Sequence, residues 1–170
     1  MTATTARLAL VLAIIGLVGV AAACGDDDGA DDGDDVTLSD EASITYEFGD
    51  ASVPPEFHRS YTLTIDATEV RAVVDSYGDV IEDVTAPLPA DVWDDLVSDG
   101  GTVADLDVED DGGCDGGTSR SLEITDRGET LADTSFSVCG GANEAPAEVV
   151  DAYVQPVLDA IPDWEALVAT

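Results

Sequence analysis

The chain has no lysine and a single histidine, His58, and its five basic residues face 38 aspartates and glutamates, for a formal net charge of -33 at pH 7. A field of that sign repels phosphates, which argues against nucleic acid and anionic lipid headgroups as partners and leaves cations or basic proteins. One histidine is too few for a transition-metal site built on imidazoles. The cysteines, Cys24, Cys114 and Cys139, lie too far apart for a paired-cysteine redox motif and have too few companions for a zinc site. A phosphate-cradling loop, a GxGxxG turn and a Gly-x-Ser-x-Gly elbow are all missing, so no cofactor and no familiar catalytic centre is expected. The acid excess also has an ordinary source, because chains from salt-rich habitats carry solvated carboxylates for solubility. Charge alone therefore names no function.

What is present begins with an address. Arg7 is followed by an almost unbroken apolar run from Leu8 to Val20 and then Ala21-Ala22-Ala23-Cys24. A charged start, a short apolar core and small residues before a cut predict a secretory signal peptide over residues 1–23. The run is shorter than the roughly 20 residues that a bilayer span requires. A cysteine at the cut resembles the bacterial lipobox, here with Ala21 where leucine is usual. The resemblance implies a lipoprotein: Cys24 would carry diacylglycerol and a further acyl chain such as palmitate, anchoring the protein to the extracytoplasmic face of the cell membrane. Two buried chains, at about 0.8 kcal/mol per methylene, suffice for stable attachment. Removing residues 1–23 takes away Arg7, so 4 basic residues minus 38 acidic ones leaves the mature chain at -34.

Residues 24–42 alternate Asp and Gly without an apolar pattern, which predicts an extended, self-repelling tether. They do not fit an EF-hand, since placing Gly33 at the loop's glycine position puts Ser39 where the bidentate glutamate belongs. From residue 43 to 170 the pattern predicts one globular domain. Ile44, Tyr46 and Phe48 alternate with polar residues, as do Tyr61, Leu63 and Ile65, and Glu69 to Tyr77 and Asp79 to Val84 add two β-rich segments, giving four antiparallel strands. Val92, Trp93, Leu96 and Val97 fall on one helical face, with Pro89 at the first turn and Gly100-Gly101 as the stop. Ser121 to Thr125 and Thr130 to Val138 predict a hairpin around Asp126-Arg127-Gly128. A second helix follows from Pro146, with a kink or restart expected at Pro156. The expected fold class is α+β, an antiparallel sheet of about six strands with two helices on one face and one disulfide.

With Cys24 lipidated, Cys114 and Cys139 remain, and an even remainder in an exported chain predicts a disulfide. It would close a loop of about 26 residues and contribute roughly 3 kcal/mol in the chain-entropy model. Asp107, Glu109, Asp111 and Asp115 form a weak calcium candidate, with Thr118 where an EF-hand would put its glutamate; a solvated acidic loop is the default. His58 has no serine or cysteine motif beside it, so no catalytic residue is assigned. The loop from Gly49 to Arg59, with Pro54, Pro55, Phe57, His58 and Arg59, offers stiff apolar groups in an acidic surround and is the candidate interaction loop.

Ile44 to Asp50, Val53-Pro54-Pro55, Arg59 to Ile65 and Asp75-Ser76-Tyr77-Gly78 together look like uncharacterised secreted lipoproteins of high-GC Gram-positive bacteria. The order of elements is also similar to that of emfourin-type inhibitors of secreted metalloproteases, although Gly49 is followed here by Asp50 and Ala51 rather than by a glycine-rich loop. The expected function is a non-enzymatic, membrane-anchored binding module for a protein or cationic ligand; the second resemblance implies protease inhibition as an alternative, and a cell-envelope hydrolase using His58 is another.

Overall fold

A computed structural model describes residues 38–109 and 116–169. The elements run β1 (Ser43–Gly49), β2 (Ser60–Ile65), β3 (Glu69–Ser76), β4 (Asp79–Pro87), α1 (Ala90–Ala104), β5 (Thr118–Asp126), β6 (Glu129–Val138), α2 (Glu144–Ala160) and α3 (Trp164–Leu167). The six strands form one open sheet in the order β4-β3-β2-β1-β5-β6, every neighbouring pair antiparallel. The α+β expectation therefore stands.

Period-two patterning explains the sheet directly. Ile44 pairs with Ile65 on one side and Ile124 on the other, and the row continues to Val70, Ala86 and Ala132. All six side chains are buried. One residue along, Thr45 lies between Thr64 and Glu123, in a row that includes Arg71, Thr85 and Asp133. A register slip of one residue would exchange these rows, so burial fixes the pairing. Two hairpins close on two-residue turns, Tyr77-Gly78 and Arg127-Gly128, with positive φ at both central positions, the twist that matches antiparallel strands.

The helices cover the apolar face. Trp93, Leu96, Gly100 and Val103 are the buried stripe of α1, and Val150, Tyr153, Val154, Val157 and Leu158 belong to that of α2. The Tyr153 hydroxyl donates to the Leu96 carbonyl at 3.1 Å and ties the two together. Three details correct the sequence reading. α1 continues through Gly100-Gly101 to Ala104, because Gly100 is packed against Leu38 and tertiary contact overrides the local stop signal. α2 runs unbroken through Pro156; the carbonyl left without a partner belongs to Ala152, an exposed residue that water can serve. A one-turn helix, α3, adds a third where two were expected.

The described chain enters at Leu38, within the segment read as tether. Leu38 and Ala42 are buried, and the backbone N–H and hydroxyl of Ser39 both donate to the Asp126 carboxylate at the β5–β6 turn. Residues 1–37, including Cys24, lie outside the described residues. No helix among the described residues is long and apolar enough to cross a membrane.

Candidate functional site

Antiparallel registers bring several segments to one end of the sheet. Gly49 pairs with Ser119, Ser60 with Asp75, Ser76 with Asp79, and Thr118 with Val138. The 50–59 loop, the Tyr77-Gly78 turn, the start of β5 and the end of β6 therefore share that end. Leu38 to Ala42 and the Arg127-Gly128 turn lie at the other, about 20 Å away for strands of this length.

Side chains hold the 50–59 loop at several points. The Asp50 carboxylate accepts from the backbone N–H of Ala51 at 2.7 Å and of Arg59 at 2.9 Å, bridging the loop's two feet. Phe57 N–H donates to the Pro54 carbonyl at 2.8 Å, which winds Pro54 to Phe57 into a turn. From the neighbouring hairpin, the Ser76 hydroxyl donates to the Pro55 carbonyl at 2.8 Å and the Tyr77 hydroxyl to the Val53 carbonyl at 2.6 Å. Tyr77 occupies a left-handed turn position (φ 54°) that favours asparagine or glycine. Its hydroxyl bond and its ring, stacked 3.8 Å from that of His58, offset that strain.

The corner so built carries exposed apolar side chains. Phe57 is 53% exposed, Tyr77 55%, Val80 63% and Ile81 41%, four of the five large exposed hydrophobics among the described residues. The sequence reading found Phe57 with Pro54 and Pro55, which are also exposed. It missed Tyr77, Val80 and Ile81, although an aromatic in a two-residue turn is a signal in itself. His58 belongs to the same loop but is buried. It is 5% exposed, with Nε2 3.4 Å from the Ser60 hydroxyl and Nδ1 without a partner among the described residues. A general base would need its second ring nitrogen oriented by an acceptor, and no carboxylate among the described residues bonds to it.

On the helix side of the same end lies an aromatic and arginine cluster. Phe48 stacks on Tyr61 at 5.0 Å between centroids, and Tyr61 meets Trp164 edge-on at 4.8 Å. Arg120 lies over Phe48 at 4.5 Å and grips Asp151 with two bonds of 2.7 and 2.9 Å, while the Tyr46 hydroxyl donates to the same carboxylate at 2.9 Å. Burial disfavours charge on Arg120, but the bonds to Asp151 outweigh it and raise its pKa. Burial, then the Asp151 charge, pushes the Tyr61 phenol up to about 12, and burial with neighbouring Tyr61 and Asp151 raises Tyr46 further still.

Two of the four acidic candidates, Asp107 and Glu109, are among the described residues. Both are exposed; Glu109 exchanges backbone hydrogen bonds with the buried Asn143 amide, donating at 2.8 Å and accepting at 3.1 Å. Asp111, Asp115 and Cys114 lie outside the described residues. No cluster of three potential metal ligands occurs among the described residues. Cys139 follows β6 and forms a bridge with Ala142 across Gly140-Gly141. No protein-family model matches the chain, and comparison with curated proteins finds no match either.

Proposed function

We propose that the protein is a lipid-anchored, extracytoplasmic binding module that presents one end of its sheet to a partner protein. The observation that carries this reading is the position of the exposed apolar corner. Phe57, Tyr77, Val80 and Ile81 lie at the end opposite Leu38, where the chain arrives from Cys24. Anchored at Cys24 through the acidic tether, the domain has its apolar corner on the side away from the point of attachment. Exposed apolar side chains gathered at one end of the sheet, in an acidic chain, suit a partner with apolar and basic surface.

Pairing of Cys114 with Cys139 belongs to the same proposal. Thr118 lies opposite Val138 at one end of the β5–β6 hairpin; Cys139 follows Val138 directly, and Cys114 precedes Thr118 by four residues in the sequence, a spacing that suits such a pair. The disulfide would brace that end in an oxidising compartment.

Inhibition of secreted proteases would use the same loop. The turn from Pro54 to Phe57, with the Val53 and Pro55 carbonyls already engaged, leaves little extended backbone to lie in a protease cleft, which favours the binding-module reading. A hydrolase would need acids around His58, whose polar neighbour is Ser60.

The test is photo-crosslinking on intact cells of the native host, with the full chain carrying a photoreactive residue at position 57, 80 or 133. A discrete adduct from 57 and 80 but not from 133, on the open face, is expected. Equal labelling from all three, or none from the apolar corner, would remove the basis for the proposal.

A further inference from the structure

A second feature of this end is a cleft of about 310 Å³ lined by Phe48, Asp50, Phe57, Arg59, Tyr61 and Trp164. We infer that it is a subsite for a neutral sugar residue of a glycan, a role that needs neither the apolar corner's partner nor the lipid anchor.

Arg59 gives the first argument. In a chain this acidic, arginines find carboxylates readily: Arg71 pairs with Asp83, Arg120 with Asp151 and Arg127 with Glu41. Arg59 alone pairs with none among the described residues. Its side chain makes one hydrogen bond, to the adjacent His58 carbonyl at 2.7 Å, and its Nε is buried without a partner. A guanidinium has five N–H donors; one is engaged by the His58 carbonyl and the buried Nε is out of a ligand's reach, so the remaining terminal N–H groups are the capacity Arg59 keeps for an acceptor brought from outside.

The walls give the second. Phe48 is taken up by Tyr61 and Arg120, which leaves Trp164, edge to face with Tyr61, and Phe57, exposed at the margin, as the rings for a ligand. Aromatic faces are electron-rich, and the apolar face of a sugar ring, with its polarised C–H groups, complements them. The volume is at the lower end of the range for small-molecule sites, enough for a single residue of a larger glycan.

Charge decides between neutral and anionic ligands. Asp50 lines the cleft beside Arg59, and the net charge of -33 repels an anion before it arrives. Hydroxyl groups can accept from the arginine and donate to the aspartate at once, which a carboxylate or phosphate cannot do.

The experiment is calorimetric titration of the detergent-solubilised full chain with cellotetraose, mannotetraose, chitotetraose and, as the anionic counterpart, tetragalacturonate. Saturable binding of at least one neutral tetrasaccharide is expected, weakened about tenfold or more by Arg59→Leu and by Trp164→Ala and unchanged by Asp133→Asn on the open face of the sheet. Phe57→Ala guards against misfolding of the other variants, because the residue is exposed in a surface turn; the same weakening is expected. Absence of neutral binding, preference for tetragalacturonate, or affinity unmoved by Phe57→Ala would overturn the inference. Failure of the photo-crosslinking test alone would leave it standing.

Discussion

The two ends of the sheet use one device for opposite purposes. At the entry end, the Asp126 carboxylate takes two bonds from Ser39, and Asp66 takes three from Thr68 and Glu69, so polar side chains seal turns over the core. At the far end, Asp50, Ser76 and Tyr77 bind backbone groups just as firmly, yet the loop they hold leaves Phe57 in water. The difference teaches that exposure at the far end is not slackness. A loop fixed by side chains from its own base and from a neighbouring hairpin loses little entropy on binding, which is the condition for recognition by a preformed surface.

The largest effect should come from the middle, which both ends share. Leu122→Ala removes a fully buried side chain opposite Tyr46 and should destabilise by about 3 kcal/mol. Denaturant unfolding followed at both ends should give one coincident transition; separate transitions would show that the ends are independent units.

Next is the clamp under the far end. Asp151→Asn weakens the grip on Arg120 and Tyr46, and since Asp151 is partly exposed the cost should be about 2 kcal/mol. Alkali probes the same cluster. The Tyr61 pKa is raised to about 12 from 10.0, so its contribution is complete below pH 10 and is lost as pH rises toward 12. Phenolate absorbance and loss of near-ultraviolet circular dichroism should therefore rise together; phenolates forming in a chain that keeps its tertiary signal would contradict the burial argument.

Asp126→Asn should cost about 1 kcal/mol and act on the entry end, speeding hydrogen exchange at the Ser39 and Ala42 amides while leaving that of Arg59 unchanged. Acceleration at both ends would erase the distinction drawn between them. The smallest change in stability, within about 0.5 kcal/mol, is expected for Phe57→Ser and Val80→Ser, because surface side chains away from core contacts carry little folding energy. A melting temperature that drops as far as that of Asp126→Asn would mean that the corner is structural.

How much of this was legible in the sequence follows from the range of the forces involved. Ile44, Tyr46 and Phe48 announce a half-buried strand because alternation is local, and Asp126-Arg127-Gly128 announces a hairpin because turn chemistry is local too. Gly100-Gly101 misled because what carries the helix past them includes Leu38, remote in sequence. Pro156 misled because its missing bond lies on the wet side of α2. At the far end, Phe57 could be singled out from composition, whereas burial of His58 depends on the Tyr77 ring, and the cleft on α3 bringing Trp164 to Tyr61. Such contacts leave no periodic trace.

The contrast between an entry end and a display end has a functional meaning only if the chain is anchored at Cys24. The most direct test is the intact mass of the full chain expressed in a bacterial host and recovered from the membrane fraction, with and without Cys24→Ala. A mature chain beginning at residue 24 and carrying the added mass of diacylglycerol, absent from the variant, is the predicted result. A soluble chain cut elsewhere, or left uncut, would contradict the account.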